Sequence, residues 1–310
     1  MQIGVGLVGV GKIAATQHVP AISGEPRFVL RATADPRGGL PNVENFPSLE
    51  AMLKAPSIEA VILCTPPAGR AALACRALEA GKHVMLEKPP AASQTELDEL
   101  SALAEQGGLT LFAAWHSRYA PCVSAARTWL AKRPASRIRI LWKEDVRVWH
   151  PGQDWIWQPE GLGVFDPGIN ALSILTAILP EEFRLTGGAL SYPENRQAPI
   201  AASLTFATAG GAPVEAEFDW RSEAGEIWEI EIQTEGGHLR LSEGGARLEI
   251  DGKPVPGDGR REYPALYADF ARLIGTGCSD ADGRPLKHVS DAFRLARRVP
   301  VAPFHENQDV

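Results

Sequence analysis

The stretch IGVGLVGVGKIA, residues 3–14, decides the fold of the first part of the chain. A short apolar strand runs directly into the pattern G-x-G-x-x-A, where a helix begins. Gly9 permits the tight turn, Gly11 lets the backbone approach a pyrophosphate, and Ala14 is small enough for the helix to lie close to the strand. Free N–H groups at the helix N-terminus would then face the phosphates. The stretch therefore predicts a unit that binds a dinucleotide.

An acidic residue stands where such a unit needs one. The second predicted strand, residues 28–34, is followed by Asp35, which comes 21 residues after Ala14. In dinucleotide-binding folds an acid about 20 residues past the motif holds the adenosine ribose. The alternative interpretation is an ordinary turn-forming Asp before Pro36. Because strand, glycine turn, helix and acid occur in the expected order, we assign Asp35 to the ribose.

Strands and helices continue to alternate beyond this point. Apolar strands are predicted at 60–64, 84–86 and 109–114, with helical patterns between them. This alternation is typical of a doubly wound α/β sheet of parallel strands. We therefore predict a dinucleotide-binding domain over residues 1–120.

Lys88 is the first candidate for chemistry. It follows strand 84–86 and precedes Pro89 and Pro90, which lack the N–H that a continuing strand requires. The ligand crevice of an open α/β sheet lies just outside the carboxyl ends of its strands. A Lys in such a place is most often solvated scaffold. The cofactor motif that precedes it makes Lys88 a functional candidate.

One more helix is predicted from residue 121 to about Lys132, and the pattern then changes to strands, many of them separated by glycine-rich turns. The segments predicted as strands are 137–148, 183–192, 200–207, 213–220, 226–235, 237–243 and 246–251. We predict an α+β domain over residues 121–310, with a large, mainly antiparallel open sheet and a last helix that packs back on the first domain. A broad open sheet face usually becomes a subunit interface, so we expect a homo-oligomer.

Tryptophan is concentrated in this second part. Of the eight tryptophans, six lie between residues 142 and 228: Trp142, Trp149, Trp155, Trp157, Trp220 and Trp228. The ordinary interpretation is that they fill the core and an interface. The alternative is that some present a flat apolar face with an N–H at its edge, a surface suited to a sugar.

Asp166 and Asn170 lie in GLGVFDPGIN, residues 161–170, at the predicted start of an apolar helix. Four residues apart, they share one face of the first turn, where the helix dipole favours a carboxylate. The alternative is that Asp166, before Pro167, serves only as the helix N-cap.

These motifs together resemble a known family. Gly9-Val10-Gly11, Glu87-Lys88-Pro89 and an Asp four residues before a polar residue are similar to the glucose–fructose oxidoreductase, inositol dehydrogenase and rhizopine-catabolism family. The resemblance runs from Ile3 to about Arg298. It implies a Rossmann domain, a mixed-sheet domain, a cleft for nicotinamide and sugar, and NAD as the cofactor with NADP as an alternative. The cofactor-binding residues it implies are Gly9, Gly11, Lys12, Ile13, Asp35, Arg37, Thr65, Pro66, Glu87 and Lys88.

Longer strings resemble the aldose 1-dehydrogenases of this family more closely. They include AWHSR at 114–118, WKEDVR at 142–147 and WHPGQ at 149–153. Those bacterial enzymes oxidise D-galactose and L-arabinose. The catalytic residues implied are Lys88, Asp166 and Asn170, and the sugar-binding residues are His116, Glu144, Trp149, His150, Asp166, Asn170 and Trp228. Asp166 is the expected base and Lys88 the hydrogen-bond donor to the same oxygen, and these two roles are exchangeable.

The chain departs from the family pattern at two places. Asn170 stands where the wider family usually has His, although the aldose enzymes share the Asn. Asp35-Pro36-Arg37 stands where many aldose relatives have a small polar residue and Arg, which favours NAD while leaving some use of NADP. Two alternatives stay open: an inositol or other polyol dehydrogenase, and a nucleotide-sensing regulator without turnover.

Composition narrows the partners. The net charge of -7 and the pI near 5.6 argue against nucleic acid. No apolar run approaches the roughly 18 residues of a membrane span, and residues 1–8 lack the pattern of a signal peptide. The four cysteines have no metal-type spacing, and no ligand spacing supports a metal at His116, Glu144 and His150. We therefore expect a cytoplasmic protein without a metal site.

Overall fold

A computed structural model describes residues 2–158 and 161–306 of the chain. The chain divides into two compact units. The first unit comprises Met1–His116 and Arg261–Gly283, and the second comprises Ser117–Arg260 and Arg284–Val310. The domain boundary near residue 120 stays a prediction, because a compact unit need not coincide with a functional domain.

The regular elements are numbered along the chain. The strands are β1 Ile3–Val8, β2 Phe28–Ala34, β3 Glu44–Phe46, β4 Ala60–Leu63, β5 His83–Glu87, β6 Leu111–Ala114, β7 Ala135–Lys143, β8 Phe183–Pro193, β9 Ala201–Thr208, β10 Pro213–Asp219, β11 Ile227–Thr234, β12 Gly237–Ser242, β13 Arg247–Ile250, β14 Lys253–Val255 and β15 Arg297–Val301. The α-helices are α1 Val19–Gly24, α2 Leu49–Met52, α3 Arg70–Glu79, α4 Gln94–Gln106, α5 Val123–Leu130, α6 Val146–Trp149, α7 Phe165–Ile178, α8 Glu262–Thr276 and α9 Arg284–Leu295.

The first unit is built on a parallel sheet of six strands in the order β3-β2-β1-β4-β5-β6. Helices α1, α3 and α4 pack on its strands, so β4 and most of β1 and β5 are buried. Both faces of a parallel sheet are covered in this way, which explains the continuous apolar runs in the sequence. The strand order reverses between β1 and β4, and the predicted doubly wound α/β fold is confirmed.

The second unit is built on a sheet of nine strands in the order β14-β13-β12-β11-β7-β10-β9-β8-β15. Two neighbouring pairs are parallel, β7 with β10 and β8 with β15, and the others are antiparallel. Helix α7 contacts β7 and β11, and α9 contacts β8. Alternate side chains such as Ile138, Ile140 and Trp142 are therefore buried. The predicted large, mainly antiparallel sheet is confirmed.

Three details differ from the expectations. The strand predicted at 137–148 ends at Lys143, because Asp145 accepts the N–H of Arg147 at 2.9 Å and starts α6. The short edge strands β3, β14 and β15 escaped prediction, and the last two contain prolines, which edge strands tolerate. The helix from the later part of the chain that belongs to the first unit is α8, whereas the last helix, α9, belongs to the second.

No helix among the described residues is long and apolar enough to cross a lipid bilayer.

Candidate active site

The glycine turn of the first unit leaves room for a phosphate group. Gly9 has φ +85°, and a Cβ there would lie 3.1 Å from the Thr65 nitrogen, so a side chain would strain the turn. A Cβ on Gly11 would meet nothing within 4 Å, which means that open space faces this position. Lys12 is exposed, and Ile13 keeps 47% of its surface exposed. The turn has the form that a dinucleotide requires. Gly9 is needed for its positive φ, and the absence of a side chain at Gly11 leaves space in which a ligand could approach the backbone.

Asp35 ties this turn to the end of β2. Its carboxylate accepts the N–H of Val10 at 2.9 Å and the N–H of Arg37 at 2.8 Å, and it is only 4% exposed. The Arg37 guanidinium donates to the same carboxylate at 3.2 and 3.1 Å. That hydrogen bond outweighs burial and lowers the pKa of Asp35 to about 2. Asp35 is therefore an ionised acceptor beside the glycine turn, as a ribose site requires.

The ends of β4 and β5 are held together by Arg70, which sequence reasoning missed. Arg70 is 3% exposed and donates to the backbone oxygens of Thr65, Glu87 and Pro89, with Nε 3.0 Å from the Thr65 oxygen. The hydroxyl of Thr65 is buried without a hydrogen-bond partner among residues 2–158 and 161–306. An orphaned hydroxyl beside the glycine turn suits a ligand, and Pro66 follows it. A charged residue at the start of a predicted helix was the only signal for Arg70.

Glu87 lies at the end of β5, next to Lys88. Its side chain is buried and accepts from Nε2 of His18 at 2.9 Å, from the Tyr263 hydroxyl at 2.8 Å and from the N–H of Lys88 at 2.8 Å. Nδ1 of His18 lies 2.8 Å from the Tyr267 hydroxyl. The carboxylate therefore braces the strand end that carries Lys88, and a contact of Glu87 with a cofactor stays a prediction.

Charge within this buried cluster is balanced. Burial by itself raises the pKa of Glu87, but hydrogen bonding and charge from His18 lower it to about 2. Burial by itself lowers the pKa of His18, but the neighbouring Cys64 sulfur and Glu87 raise it to about 10. The pair is an imidazolium and a carboxylate at neutral pH. The first unit thus presents Lys88 from a rigid, internally neutralised support.

His116 lies in the first unit, just after the end of β6. Its Nδ1 is 2.5 Å from Oε2 of Glu262, and its ring stacks on Tyr263 with centroids 5.4 Å apart. The nearby His116 is also among the groups that lower the pKa of Glu87. His116 therefore extends the cluster behind Lys88, and its contact with a sugar stays a prediction.

Asp166 lies in the second unit, one residue inside α7. Helix α7 begins after the cap residue Val164, so the alternative interpretation of Asp166 as the N-cap is wrong. Its Oδ2 lies 3.1 Å from Nε2 of His150, and both side chains are largely buried. Nδ1 of His150 lies 3.3 Å from Oε1 of Gln153, which also accepts the indole N–H of Trp155. Both ring nitrogens face acceptors, which favours the protonated ring and an ionised Asp166.

Asn170 follows one turn after Asp166 and is half-buried. Its side-chain amide has no hydrogen-bond partner among the described parts of the chain, whereas its backbone oxygen accepts from Ser173. An amide in this position can bind a hydroxyl group without titrating.

Glu144 follows β7 and is surrounded by tryptophan. It is 4% exposed, and its two oxygens accept the indole N–H groups of Trp220 and Trp228, each at 3.1 Å. Trp228 stacks on Trp142 with centroids 6.0 Å apart. Trp149 is 39% exposed and donates its N–H to Glu226 at 3.0 Å. Some tryptophans therefore fill the core, whereas others form a half-exposed wall, and the binding of a sugar to that wall stays a prediction.

This geometry bears on how strictly Glu144 could select a sugar. Both oxygens keep an indole donor whatever the sugar, so the penalty for a poor fit is smaller than that of an unpaired charge.

Among the described residues, no three His, Cys, Asp or Glu side chains are arranged to hold a metal ion.

Comparisons with known proteins agree with this geometry. The family GFO_IDH_MocA, described as an oxidoreductase family with an NAD-binding Rossmann fold, matches residues 3–114. Galactose 1-dehydrogenase of Pseudomonas fluorescens is 47% identical over 305 residues, which cover 98% of this chain and 99% of that enzyme. The crystal structure of a D-galactose-1-dehydrogenase protein from Rhizobium etli is similar with a TM-score of 0.94, at 53% identity and over 98% of each chain.

A more distant likeness concerns the fold alone. A 3-ketoreductase from Actinomadura kijaniata, solved with NADP and TDP-benzene, is similar with a TM-score of 0.83 at 18% identity. The match covers 97% of this chain and 100% of that one.

Proposed function

The chain belongs to the GFO/IDH/MocA oxidoreductase family, and from this premise we propose that it is an NAD(P)-dependent aldose 1-dehydrogenase. It would oxidise the anomeric carbon of D-galactose, and of L-arabinose as a second substrate, to the aldonolactone. The full-length likeness to galactose 1-dehydrogenase carries the proposal. The buried acceptors of the second unit support it, because a sugar is recognised through its hydroxyl groups.

The sugar-binding groups differ in what they offer. Glu144 offers a buried carboxylate, which accepts hydrogen bonds and whose two oxygens are oriented by two indole N–H groups. Asn170 brings an amide without a partner among the described residues, and Trp149 and Trp228 add apolar ring faces. D-Galactose and L-arabinose share the ring configuration from C1 to C4 and differ in the CH₂OH group, so one set of acceptors serves both.

The reaction removes a proton from the anomeric hydroxyl and a hydride from C1. Bound NAD(P)⁺ supplies the acceptor for that hydride. Asp166 takes the proton, since its pairing with His150 keeps the carboxylate ionised and oriented. Lys88 donates a hydrogen bond to the same oxygen from the braced end of β5. The exchanged assignment, with a neutral Lys88 as the base, stays open.

The cofactor preference follows from Asp35 and Arg37. The ionised Asp35 accepts ribose hydroxyl hydrogen bonds and repels a 2′-phosphate, while the adjacent guanidinium reduces that repulsion. We expect NAD to be favoured over NADP by roughly tenfold, about 1.4 kcal/mol. Comparable kcat/KM for both cofactors, unchanged in Asp35→Ser, would contradict the assignment.

We also propose a homo-oligomer that forms through the open face of the second unit's sheet. This face carries cross-strand ion pairs, among them Arg137 with Glu215 at 2.9 Å and Lys143 with Glu217 at 3.0 Å. Exposed pairs of this kind contribute little to stability by themselves.

A cytoplasmic location is part of the proposal, supported by four free cysteines.

A matrix of sugars and cofactors tests the proposed function. D-Galactose, L-arabinose, D-glucose and myo-inositol are each assayed with NAD and NADP at 340 nm. We expect the highest kcat/KM with galactose or arabinose, and a lactone as the product. A preference for myo-inositol with a ketone product, or no turnover with any sugar, would overturn the proposal.

A further inference from the structure

The loop that carries His150 has little regular structure of its own. It runs from the end of α6 to a single 3-10 turn at Asp154–Trp157. His150 contacts Asp166 from this loop, and its ring lies 5.3 Å from the ring of Trp220, which in turn donates to Glu144. The position of the loop therefore decides the geometry of the proposed sugar site.

A carboxylate from a distant part of the chain holds this loop at two points. Oε1 of Glu306 accepts the indole N–H of Trp157 at 3.1 Å, and Oε2 accepts the backbone N–H of Gly152 at 3.0 Å. Glu306 is 18% exposed, so these bonds are partly shielded from water. The Arg196 guanidinium lies 3.7 Å from Oε1 and over the Trp157 ring. Each carboxylate oxygen thus holds a different part of one loop.

The 302–306 segment that carries Glu306 is itself anchored. Asn195 donates to the backbone oxygen of Phe304 at 2.9 Å and accepts its N–H at 2.9 Å. The Phe304 ring contacts Trp157 with centroids 5.7 Å apart, and Trp157 contacts Trp220 at 5.5 Å. A continuous packed path therefore leads from the 302–306 segment to Trp220, which contacts both Glu144 and His150.

We propose that Glu306 is a positioning residue for sugar binding. It touches no reacting atom and acts by keeping Gly152 and Trp157, and through them His150, in the arrangement that receives the sugar. This inference rests on the proposed function. Without the carboxylate, only a fraction of the molecules would hold the loop in the competent arrangement, and the apparent sugar affinity would fall by that fraction.

The test compares Glu306→Gln with Glu194→Gln. The amide of Gln keeps an oxygen at only one of the two positions and places an NH₂ donor at the other, so one of the two N–H groups loses its acceptor. Glu194 is exposed and has no side-chain hydrogen bond among the described residues. We expect the sugar KM of Glu306→Gln to rise about tenfold, the size of a lost charged hydrogen bond, with the NAD dissociation constant unchanged. A merely destabilised protein would show less active enzyme and an unchanged KM. Glu194→Gln should match the wild type.

A second readout does not depend on activity. The indole N–H of Trp157, followed by NMR in ¹⁵N-labelled protein, should exchange with solvent faster in Glu306→Gln than in the wild type and in Glu194→Gln. An unchanged sugar KM together with unchanged indole exchange would overturn the inference. If the wild type oxidises no sugar, the proposed function fails, and the indole exchange alone then decides whether Glu306 holds the loop.

Discussion

The two units build their functional groups in different ways. In the first, the groups stand at the ends of adjacent parallel strands, and a buried pair of His18 and Glu87 with backbone bonds from Arg70 supports them. In the second, Glu144 and His150 come from the stretch between β7 and α7, and Asp166 comes from the first turn of α7. The carboxylates of Glu144 and Asp166 are supported by side-chain N–H groups, the indole of Trp220 and the ring of His150. Functional groups at strand ends are therefore positioned mainly by the backbone of the sheet. Groups that lie outside the sheet depend on hydrogen bonds from side chains that are distant in the sequence.

The largest effect should come from the reacting groups, whichever unit carries them. Lys88→Ala and Asp166→Asn should each lower kcat by at least about 100-fold, because proton transfer loses its donor or its base. Lys132→Ala and Asp154→Asn serve as exposed controls. Steady-state kinetics with D-galactose measure the effect, and near-normal kcat in both variants would break the proposed mechanism.

Removal of the Arg70 side chain should destabilise the first unit. Arg70→Ala leaves three backbone oxygens without their charged donor. A hydrogen bond to a charged group contributes about 1.5–3 kcal/mol to the free energy of unfolding. We expect the midpoint of thermal unfolding to fall by roughly 5 °C or more, with weaker NAD binding. Arg76→Ala, on the exposed side of the same helix, is the matched control. Equal unfolding midpoints for the two variants would mean that Arg70 supports nothing.

The stability of the first unit should depend on pH through the protonation of His18. Its pKa of about 10 lies above its ordinary value of 6.5, so its proton contributes stability that is complete below about pH 6.5 and is lost as the pH rises through 10. Glu87, with a pKa of about 2, stays ionised over this range, and the pKa values of Tyr263 and Tyr267 lie well above 10.

His18→Gln should therefore be less stable than the wild type at pH 6, and the difference should shrink towards pH 10. Urea unfolding at pH 6, 8 and 10 measures this, with the exposed His305→Gln as the control. A difference in unfolding free energy that stays constant from pH 6 to 10 would show that the His18 proton contributes nothing to stability.

The fold was predictable because its signals are local. The glycine turn, Asp35 and the alternating strands each follow from spacing within a short window, and the structure places them as expected. The supports were not predictable in the same way. His18 meets Tyr267 across 249 residues, and Glu306 meets Trp157 across 149. No local pattern specifies such pairs, since they arise only once the chain is packed.

The candidate functional residues show the same division. Lys88 and Asp166 were proposed from their positions at the ends of elements, but the pairing of Asp166 with His150 and the burial of Glu87 against His18 were not predicted. The start of α6 at Asp145 was also missed, because a single side-chain cap turned a strand pattern into a helical turn. Position within an element is therefore easier to predict than the partner of a side chain.

Oxidation at the anomeric carbon is the central claim, and D-galactose carrying deuterium at C1 tests it most directly. We expect that the deuterium appears on the reduced cofactor, that the product is the galactonolactone, and that Asp166→Asn slows the formation of both by at least about 100-fold. Deuterium that stays in the oxidised sugar while the cofactor is reduced would place the chemistry at another carbon and contradict the account.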